Sequence, residues 1–549
     1  MQKRPSHQAV FFYGFNHRAI AKYSWEQVFS RKKITLRIRR TSIGPDDFLK
    51  TKPFTMNQTL EEIQNFKGKY PKQLWYLFLA EMWERFSFYG MRGMLTIFMV
   101  EKLLMSEKEA NLKYGAIQAF VYTMAFIGGL FADKILGFRK SIFWGGLLMI
   151  IGSFTLAFSP DTLYYIGISF TIVGTGFFKP NISTMVGALY KDGDPRRDAG
   201  FSLFYSGINI GALLGGFLCM YVANNYNWNY AFSLAGIFMV LGLLVFSFTQ
   251  RTLGPIGLSP LLQKKELSPS KRRMYEFMVY AGGLLVIPFI LLLISNSSYS
   301  DMFMYTVGPL TILYIIFEMT KSTREEVMKL TAAMVFILFS ILFWAFFEQS
   351  GGSLSLFARY SVNNKLLGYT ADPNEINNAV NALFVILFSP LVGLIWIWLN
   401  KRKLEPNTVV KFGLGFLFLS LSFYVFYSSR FFINAENKTS LNIFTLAYLV
   451  ITVGELCLSP IGLSIMTKLS PKRLVGVMMG MWFLASAYGQ YVAGLLGAGM
   501  VSPNENATPV EKIMSYTEGY KQLAIYAVIA GLVMIVISPF VRKLMREVK

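Results

Sequence analysis

The sequence predicts an all-α membrane protein with about fourteen transmembrane helices. Apolar residues make up 54% of the 549 residues and charged residues only 15%, a balance outside that of ordinary soluble domains. Stretches such as 141–159, 230–250 and 277–295 contain no charged residue, and each is long enough as a helix to cross the ~30 Å hydrocarbon layer of a bilayer. Because backbone polar groups in lipid must be hydrogen-bonded internally, these stretches are expected to be helical.

The apolar segments fall into three consecutive groups. We expect helices near residues 74–100, 114–132, 141–159, 162–189, 199–223, 230–249, 277–295, 302–319, 330–357, 379–399, 410–428, 441–466, 475–499 and 522–541. Six helices, an inserted pair and six further helices indicate a duplicated core. The predicted divisions are a first six-helix bundle at 71–249, a cytoplasmic linker and inserted helical hairpin at 250–324, and a second six-helix bundle at 325–541.

Lysine and arginine are concentrated in alternate loops. The basic loops contain Lys134, Arg139, Lys140, Lys191, Arg196, Arg197, Lys264, Lys265, Lys271, Arg272, Arg273, Lys401, Arg402, Lys403, Lys468, Lys472 and Arg473. Loops on the other side, such as 224–229 and 296–301, contain none. The positive-inside rule, with an even number of crossings, therefore predicts a multi-pass protein of the cell (inner) membrane with both termini cytoplasmic. Contact with anionic membrane lipid accounts for the net charge of +22, so no nucleic acid partner is expected.

Residues 1–55 do not repeat the downstream pattern. They contain twelve Lys or Arg residues against three acidic residues, and no apolar run long enough for a signal peptide. We expect a basic leader that is disordered or not native, with Met56 as the natural start. A transit-like or lipid-touching leader is the other interpretation.

Charged residues interrupt the apolar segment that contains "EMWERFSFYG". Glu81, Glu84, Arg85, Phe88 and Arg92 fall within one sector about 100° wide on a helical wheel. A charge at mid-membrane costs about 2.5–3.5 kcal/mol even on the lenient insertion scale, so this stripe must face other helices or a water-filled cavity. A structural ion-pair network is one interpretation, and a transport pathway is the favoured one because so many charges share one segment.

Other core segments add a few polar or aromatic side chains. They are Lys179, Tyr205, Asn209, Glu348, Gln349, Asn381, Glu455 and Trp482. The first bundle supplies the cations and the second supplies acids, so a cavity between the bundles would have walls of opposite charge. A zwitterion with separated ends fits such a field.

Enzyme and metal chemistry are disfavoured by the residues present. Cys219 and Cys457 lie within predicted helices, and the two histidines, His7 and His17, lie outside the membrane region. No H-E-x-x-H or G-x-S-x-G motif occurs. We therefore expect neither an enzyme nor a cofactor, and any proton carried by the core must be carried by carboxylates.

Several motifs resemble those of one transporter family. "EMWERFSFYG" resembles the E-x-x-E-R-F-x-Y-Y-G signature of the proton-dependent oligopeptide transporters, a branch of the major facilitator superfamily. "GGLFADKILGFRK" is similar to the superfamily loop between helices 2 and 3, and "GFFKPNIS" and "FYSGINIGALL" are similar to the family's helix 4 and 5 motifs. The resemblance extends from about residue 71 to 541. The short loop 429–440 and the inserted hairpin resemble the bacterial form.

The resemblance implies a major facilitator fold and proton-driven symport of di- and tripeptides by alternating access. Arg85 and Lys179 would bind the peptide carboxylate. The amino terminus would be bound by Glu455, Asn209 and Asn381. The aromatic residues expected to line the pocket are Tyr89, Tyr122 and Trp482.

Coupling and gating residues follow from the same resemblance. Glu81 and Glu84 would couple the proton beside Arg85, and Glu348 would pair with Arg92 or a nearby cation as a gate. The full expected gate set is Arg92, Glu348, Lys179 and Glu455. The expected partners are small peptides, protons and membrane lipid, and a monomer is expected.

Two departures from the family pattern bear on substrate choice. Phe88 replaces the first tyrosine of the motif, and Ala382 follows Asn381 where the family often has proline. The alternative function is a proton-coupled carrier of another small anion or peptide-like compound, such as nitrate or a drug. Retention of both Glu81 and Glu84 ahead of Arg85 favours peptide-type coupling.

Overall fold

The computed structural model describes residues 58–264, 266–458, 462–471, 473–504 and 506–546, with the side chains of 462–464 left aside. The predicted leader 1–55 lies outside the described residues. A short helix precedes six long ones: α1 Leu60–Gln64, α2 Lys72–Glu101, α3 Glu107–Phe131, α4 Phe138–Phe158, α5 Pro160–Ala188, α6 Arg196–Asn225 and α7 Trp228–Thr249. The inserted hairpin follows as α8 Pro269–Ser295 and α9 Ser297–Thr320.

The second half of the chain repeats the pattern. Its helices are α10 Arg324–Phe347, α11 Ser353–Ser361, α12 Pro373–Lys401, α13 Thr408–Ser428, α14 Leu441–Leu458, α15 Gly462–Leu469, α16 Val475–Gly499 and α17 Pro509–Met545. A small antiparallel pair, β1 Lys365–Leu366 and β2 Tyr369–Thr370, connects α11 to α12.

Eleven spans of the described chain are long and apolar enough to cross a membrane. Three more helices, α2, α5 and α16, have 30, 29 and 25 residues but a more polar composition. Glu81, Glu84 and Arg85 lie in α2 and Lys179 in α5, which explains their lower hydropathy. Within the described ranges, the long helices therefore number fourteen, as expected from the sequence.

Several helices begin at capping side chains. The Ser106 hydroxyl accepts a hydrogen bond from the Glu109 amide at the start of α3. Asp372 accepts from the amides of Asn374 and Glu375 at the start of α12. Such caps bind amides that have no partner within the helix, so these boundaries follow from local sequence.

One predicted span is broken. The segment expected as one helix at 330–357 is interrupted by a 3₁₀ turn, Glu348–Gly351, between α10 and α11. A side chain at Gly351 would overlap the Tyr114 ring, so the turn forms where α3 approaches closely. The segment expected at 441–466 is described as α14, Leu441–Leu458, and as part of α15, Gly462–Leu469, and Pro460, the residue expected to bend it, lies outside the described residues.

Helix packing follows chain order within each set of six. In the first bundle, α2 packs on α6 and α7, and α4 packs on α5 and α7. In the second bundle, α13 packs on α14 and α17, and α10 packs on α16. The bundles meet mainly where α3 contacts α16 and where α6 contacts α12, and these contacts border the candidate site.

Close packing of α3 on α5 depends on glycine. The adjacent residues Gly128 and Gly129 should therefore differ in how well they tolerate substitution by alanine. A Cβ at Gly128 would lie 2.9 Å from the Phe177 amide nitrogen and closer still to the Gly176 carbonyl, whereas one at Gly129 would lie 3.7 Å from the Pro180 side chain. We expect Gly128→Ala to destabilise the protein by about 1–3 kcal/mol, because rigid backbone must move apart. Gly129→Ala is the matched control and should leave the melting temperature in detergent unchanged. Equal melting temperatures for the two variants would contradict this account.

Candidate functional site

A central cavity of about 250 Å³ lies between the bundles. Its walls include seven of the twelve residues expected from the sequence to bind substrate, couple the proton or form the gate, namely Tyr89, Arg92, Tyr122, Asn209, Glu348, Asn381 and Glu455. The first four lie on α2, α3 and α6, and the others follow α10 or lie on α12 and α14. The cavity therefore has one cation on the first-bundle wall and two acids on the second-bundle wall.

A second, larger cavity of about 1120 Å³ extends to the end of the molecule at which α2 begins and α3 ends. We call this the basic end, because Lys134, Arg139 and Arg197 lie there, and we call the other end the opposite end. Arg197 and Lys179 both line the second cavity. Access to the interior is thus from the basic end.

The opposite end is closed by contacts between the bundles. Arg92 forms an ion pair with Glu348, and its Nε donates to the Tyr114 hydroxyl at 2.6 Å. The Thr96 hydroxyl donates to the Gly351 carbonyl. These contacts lie directly beside the central cavity and form its floor toward the opposite end.

A further layer of ion pairs lies beyond them. Arg359 of the second bundle is 2.7 Å from Glu101 and donates to Asn224 at 3.0 Å, and both partners belong to the first bundle. Lys512 of α17 is 2.8 Å from Glu107 of α3. The opposite end is therefore sealed by two layers of polar contacts.

Glu81, Glu84 and Arg85 form one buried cluster on α2. Arg85 Nη2 donates to Glu84 at 2.7 Å, and Arg85 Nε lies 3.2 Å from Glu81 Oε1. The three side chains are at most 2% exposed, and Glu81 Oε2 has no hydrogen-bond partner among the described residues. Phe88 packs against the guanidinium, 5.3 Å from its ring centroid, where the family motif has a tyrosine. With two acids and one cation, the three side chains of the cluster have one negative formal charge that no cation within the cluster balances.

Lys179 lies between the two cavities. Its Nζ is 4.0 Å from the centroid of the Tyr122 ring, and Tyr122 is part of the central cavity wall. Lys179 also lies within electrostatic range of Glu84 and Arg85. A cation–π contact leaves donors of an ammonium group able to bind an anion, and Lys179 lines the second cavity, so it is available to a ligand there.

The acid on the second-bundle wall belongs to a hydrogen-bonded group. Asn381 Nδ2 donates to Glu455 Oε2 at 3.0 Å and to Thr452 Oγ1 at 3.1 Å. On the facing wall, Asn209 donates to the Tyr205 carbonyl of its own helix at 2.9 Å. Glu455 is thus held by one amide and keeps capacity to accept from a ligand.

Five of the twelve residues selected from the sequence do not line the central cavity. Glu81, Glu84, Arg85 and Trp482 line neither cavity, and Lys179 lines the second one. In this conformation the cluster around Arg85 is shielded from the cavity. The structure thus separates the cluster of Glu81, Glu84 and Arg85 from the central cavity, whereas the sequence led us to expect all of these side chains around one cavity.

The wall and floor residues that were not selected from the sequence include Tyr114, Asn377 and Tyr448. Tyr114 contacts Arg92, and Asn377 and Tyr448 line the central cavity. The sequence could have indicated Asn377, because it precedes Asn381 by four residues and therefore lies on the same face of the helix. Among the described residues, no group of three or more His, Cys, Asp or Glu side chains is placed to hold a metal ion.

Comparison with known proteins identifies one family. Residues 139–514 match the model of the POT family. The chain is 32% identical over 502 residues to the peptide transporter YePEPT of Yersinia enterocolitica, covering 87% of this chain and 96% of the relative. It is 28% identical over 480 residues to the dipeptide and tripeptide permease B of Xenorhabdus bovienii, covering 87% and 97%.

Solved structures of transporters are also similar to this chain. A mutant of the peptide transporter POT in complex with alafosfalin has a TM-score of 0.74 at 31% identity, covering 89% of this chain and 100% of that one. A POT family transporter in complex with 5-aminolevulinic acid has a TM-score of 0.74 at 29% identity, covering 88% and 100%. The predicted fold class is confirmed, and the protein is a multi-pass, helical membrane protein of the major facilitator type. The match across most of its length shows that the chain belongs to the POT family.

Proposed function

We propose that this protein is a proton-coupled symporter that imports di- and tripeptides by alternating access between its two bundles. The observation that carries the proposal is the central cavity, with Arg92 on one wall and Glu348 and Glu455 on the other. A zwitterionic peptide has charged ends that complement such walls. The names of the relatives, a peptide transporter and a dipeptide and tripeptide permease, support this substrate class.

The size of the cavity supports short substrates. A volume of about 250 Å³ is slightly below the ~300 Å³ at which ligand pockets usually begin. A dipeptide is favoured over a long chain in such a space. The larger cavity toward the basic end supplies the route to the cytoplasm.

In our proposal, the amino terminus of the peptide binds Glu455 with help from Asn381 and Asn209. The carboxylate binds Lys179, whose ammonium group lies over the face of the Tyr122 ring. Arg85 joins the carboxylate when a glutamate of its cluster is protonated and releases the guanidinium. Tyr89, Tyr122 and Trp482 would then enclose the peptide, which brings Trp482 toward the cavity.

Coupling follows from shared use of one cation. Glu81 and Glu84 both contact Arg85, so a substrate carboxylate and a proton act on the same group. Substrate and proton then bias one conformational equilibrium. Arg92 and Glu348 close the opposite end, and we propose that Lys179 and Glu455 approach each other when the basic end closes.

The location and assembly belong to the same proposal. The protein would lie in the cell (inner) membrane as a monomer, with both termini in the cytoplasm, because the basic loops are at the end where α2 begins. Protons serve as the coupling ion. It would act as a carrier and not as an enzyme.

A second candidate is transport of a peptide-like compound, because solved relatives are complexes with alafosfalin and 5-aminolevulinic acid. Nitrate is disfavoured, since a small anion has no group to contact Glu455. The two candidates share the same binding walls and differ in the spacing of the substrate's charged ends.

The test uses proteoliposomes under an inward acid gradient. We expect labelled dialanine to accumulate, an uncoupler to abolish accumulation, and excess unlabelled dialanine but not nitrate to compete. Unlabelled 5-aminolevulinic acid added to parallel samples measures the peptide-like alternative. Uptake that ignores the gradient would refute the coupling, and competition by nitrate alone would refute the substrate class.

A further inference from the structure

The 3₁₀ turn Glu348–Gly351, which we call the gate turn, makes both inner contacts that close the opposite end. Glu348 pairs with Arg92, and the Gly351 carbonyl accepts from Thr96. Between them, the Ser350 carbonyl accepts a hydrogen bond from Asn377 Nδ2 at 2.9 Å. Asn377 therefore attaches the gate turn to α12.

Asn377 belongs to a ladder of hydrogen bonds between α12 and α14. Its Oδ1 accepts from the Tyr448 hydroxyl at 2.6 Å. One helical turn further along, Asn381 donates to Thr452 and to Glu455. We call Asn377, Asn381, Tyr448, Thr452 and Glu455 the polar ladder.

The ladder is buried and its orientation is fixed. Asn377 is 3% exposed, Tyr448 2% and Thr452 0%. Because the Asn377 amide donates to the Ser350 carbonyl, rotating the amide by 180° would place its oxygen against that carbonyl oxygen, which is acceptor against acceptor. A buried polar group that loses its partner is costly, so the ladder favours one arrangement of α12, α14 and the gate turn.

We propose that Asn377 and Tyr448 are positioning residues that link Glu455, at one end of the polar ladder, to the gate turn at the other. A ligand ammonium group that binds the other oxygen of the Glu455 carboxylate pulls on the rung that Asn381 makes with Oε2. A shift of that rung moves α12 against α14, and Asn377 transmits the movement to Ser350. The ligand's part in this inference rests on the proposed function, whereas the link between Glu455 and the gate turn exists without any ligand.

The test is a double-mutant cycle read by spin-label distances at the opposite end. Labels replace the exposed residues Asp161 of the first bundle and Glu436 of the second, in a background with Cys219 and Cys457 changed to alanine. The ratio of open to closed populations is measured without substrate for the background, Asn377→Ala, Glu455→Gln and the double variant. We expect each single change to raise the ratio of open to closed populations. If the two residues belong to one network, the increase in the double variant should be smaller than the product of the two single increases, by about threefold or more.

Asn378 supplies the matched control. It is the next residue on α12, lines the same cavity and donates across the bundles to the Gly93 carbonyl at 3.2 Å. Its Oδ1 accepts a long hydrogen bond from Asn377 Nδ2 at 3.4 Å, but among the described residues it has no hydrogen bond to α14. Asn378→Ala should also raise the open fraction, and its effect should multiply with that of Glu455→Gln. Tyr448→Phe, which removes one hydroxyl and keeps the ring, should reproduce the non-multiplicative behaviour of Asn377→Ala.

Two results would overturn the inference. One is an unchanged open fraction in Asn377→Ala and Tyr448→Phe, and the other is simple multiplication of both with Glu455→Gln. Because the distances are measured without substrate, failure of dialanine uptake would leave this test intact and would count only against the proposed function. In uptake assays, Tyr448→Phe should lower the maximal rate several-fold with little change in KM. Rates are normalised to the amount of folded carrier, so a general loss of folded protein would not produce this result.

Discussion

Replacing Arg85 by alanine is expected to abolish high-affinity binding of peptides with a free carboxyl terminus. Arg85 is the cation that Glu81 and Glu84 share, and all three groups are almost fully buried. Removing one partner of a buried ionic group typically costs about 3–5 kcal/mol, because the remaining charge is left uncompensated. We therefore expect lower thermal stability together with loss of dialanine binding, measured by calorimetry in detergent.

A control separates these two effects. The double variant Glu84→Gln with Arg85→Ala removes one acid along with the cation, which should restore part of the stability without restoring binding. Arg85→Lys keeps the charge but not the planar fork that contacts two carboxylates at once, so intermediate affinity is expected. A dipeptide amide lacks the carboxylate and should bind wild type and Arg85→Lys equally weakly. Dialanine binding of wild-type strength in Arg85→Ala would contradict the proposed role.

Glu81→Gln and Glu84→Gln should each uncouple transport from the proton gradient. The cluster holds two carboxylates and one guanidinium, so a single proton removes its uncompensated charge, and glutamine mimics that protonated state permanently. With no proton to carry, the accumulation ratio should fall to about one, because gradient energy no longer enters the cycle. Counterflow of labelled dialanine against unlabelled dialanine should persist, since it needs binding and exchange only.

The two glutamates should differ in degree. Both Glu84 oxygens contact Arg85, whereas Glu81 Oε2 has no partner among the described residues. Glu81 is thus the better placed to receive a proton, and Glu84→Gln should weaken the hold on Arg85 more. Glu109→Gln, on an exposed side chain of α3, is the control and should accumulate dialanine normally. If both cluster variants accumulate like this control, the proton pathway lies elsewhere.

Much of the fold could be predicted from local sequence. Apolar length fixed where helices lie, and capping residues such as Ser106 and Asp372 fixed where some begin. Helix interruptions were harder. The gate turn was missed because the apolar run that ends at Phe347 is typical of a helix that continues. The close approach of Tyr114 from α3 to Gly351 is seen only in the folded chain.

The candidate site was predicted in part. The stripe from Glu81 to Arg92 was found because charges within a lipid-spanning helix must share one face. Helix periodicity gives the direction of a side chain from its own helix but not its partner on another. Asn377 and Tyr448 were therefore missed, since their importance comes from a hydrogen bond between α12 and α14.

The sequence by itself determined that this chain crosses a membrane many times, and that cations in its first bundle oppose acids in its second. Only the tertiary structure decided which charges pair between the bundles: Arg92 of α2 pairs with Glu348 of the other bundle, whereas Glu81 and Glu84 contact Arg85 within α2. The physical reason is the range of the interactions. Burial of charge is imposed by each helix alone through the low polarity of lipid, whereas an ion pair between bundles exists only when distant segments bring two side chains within a few ångströms of each other.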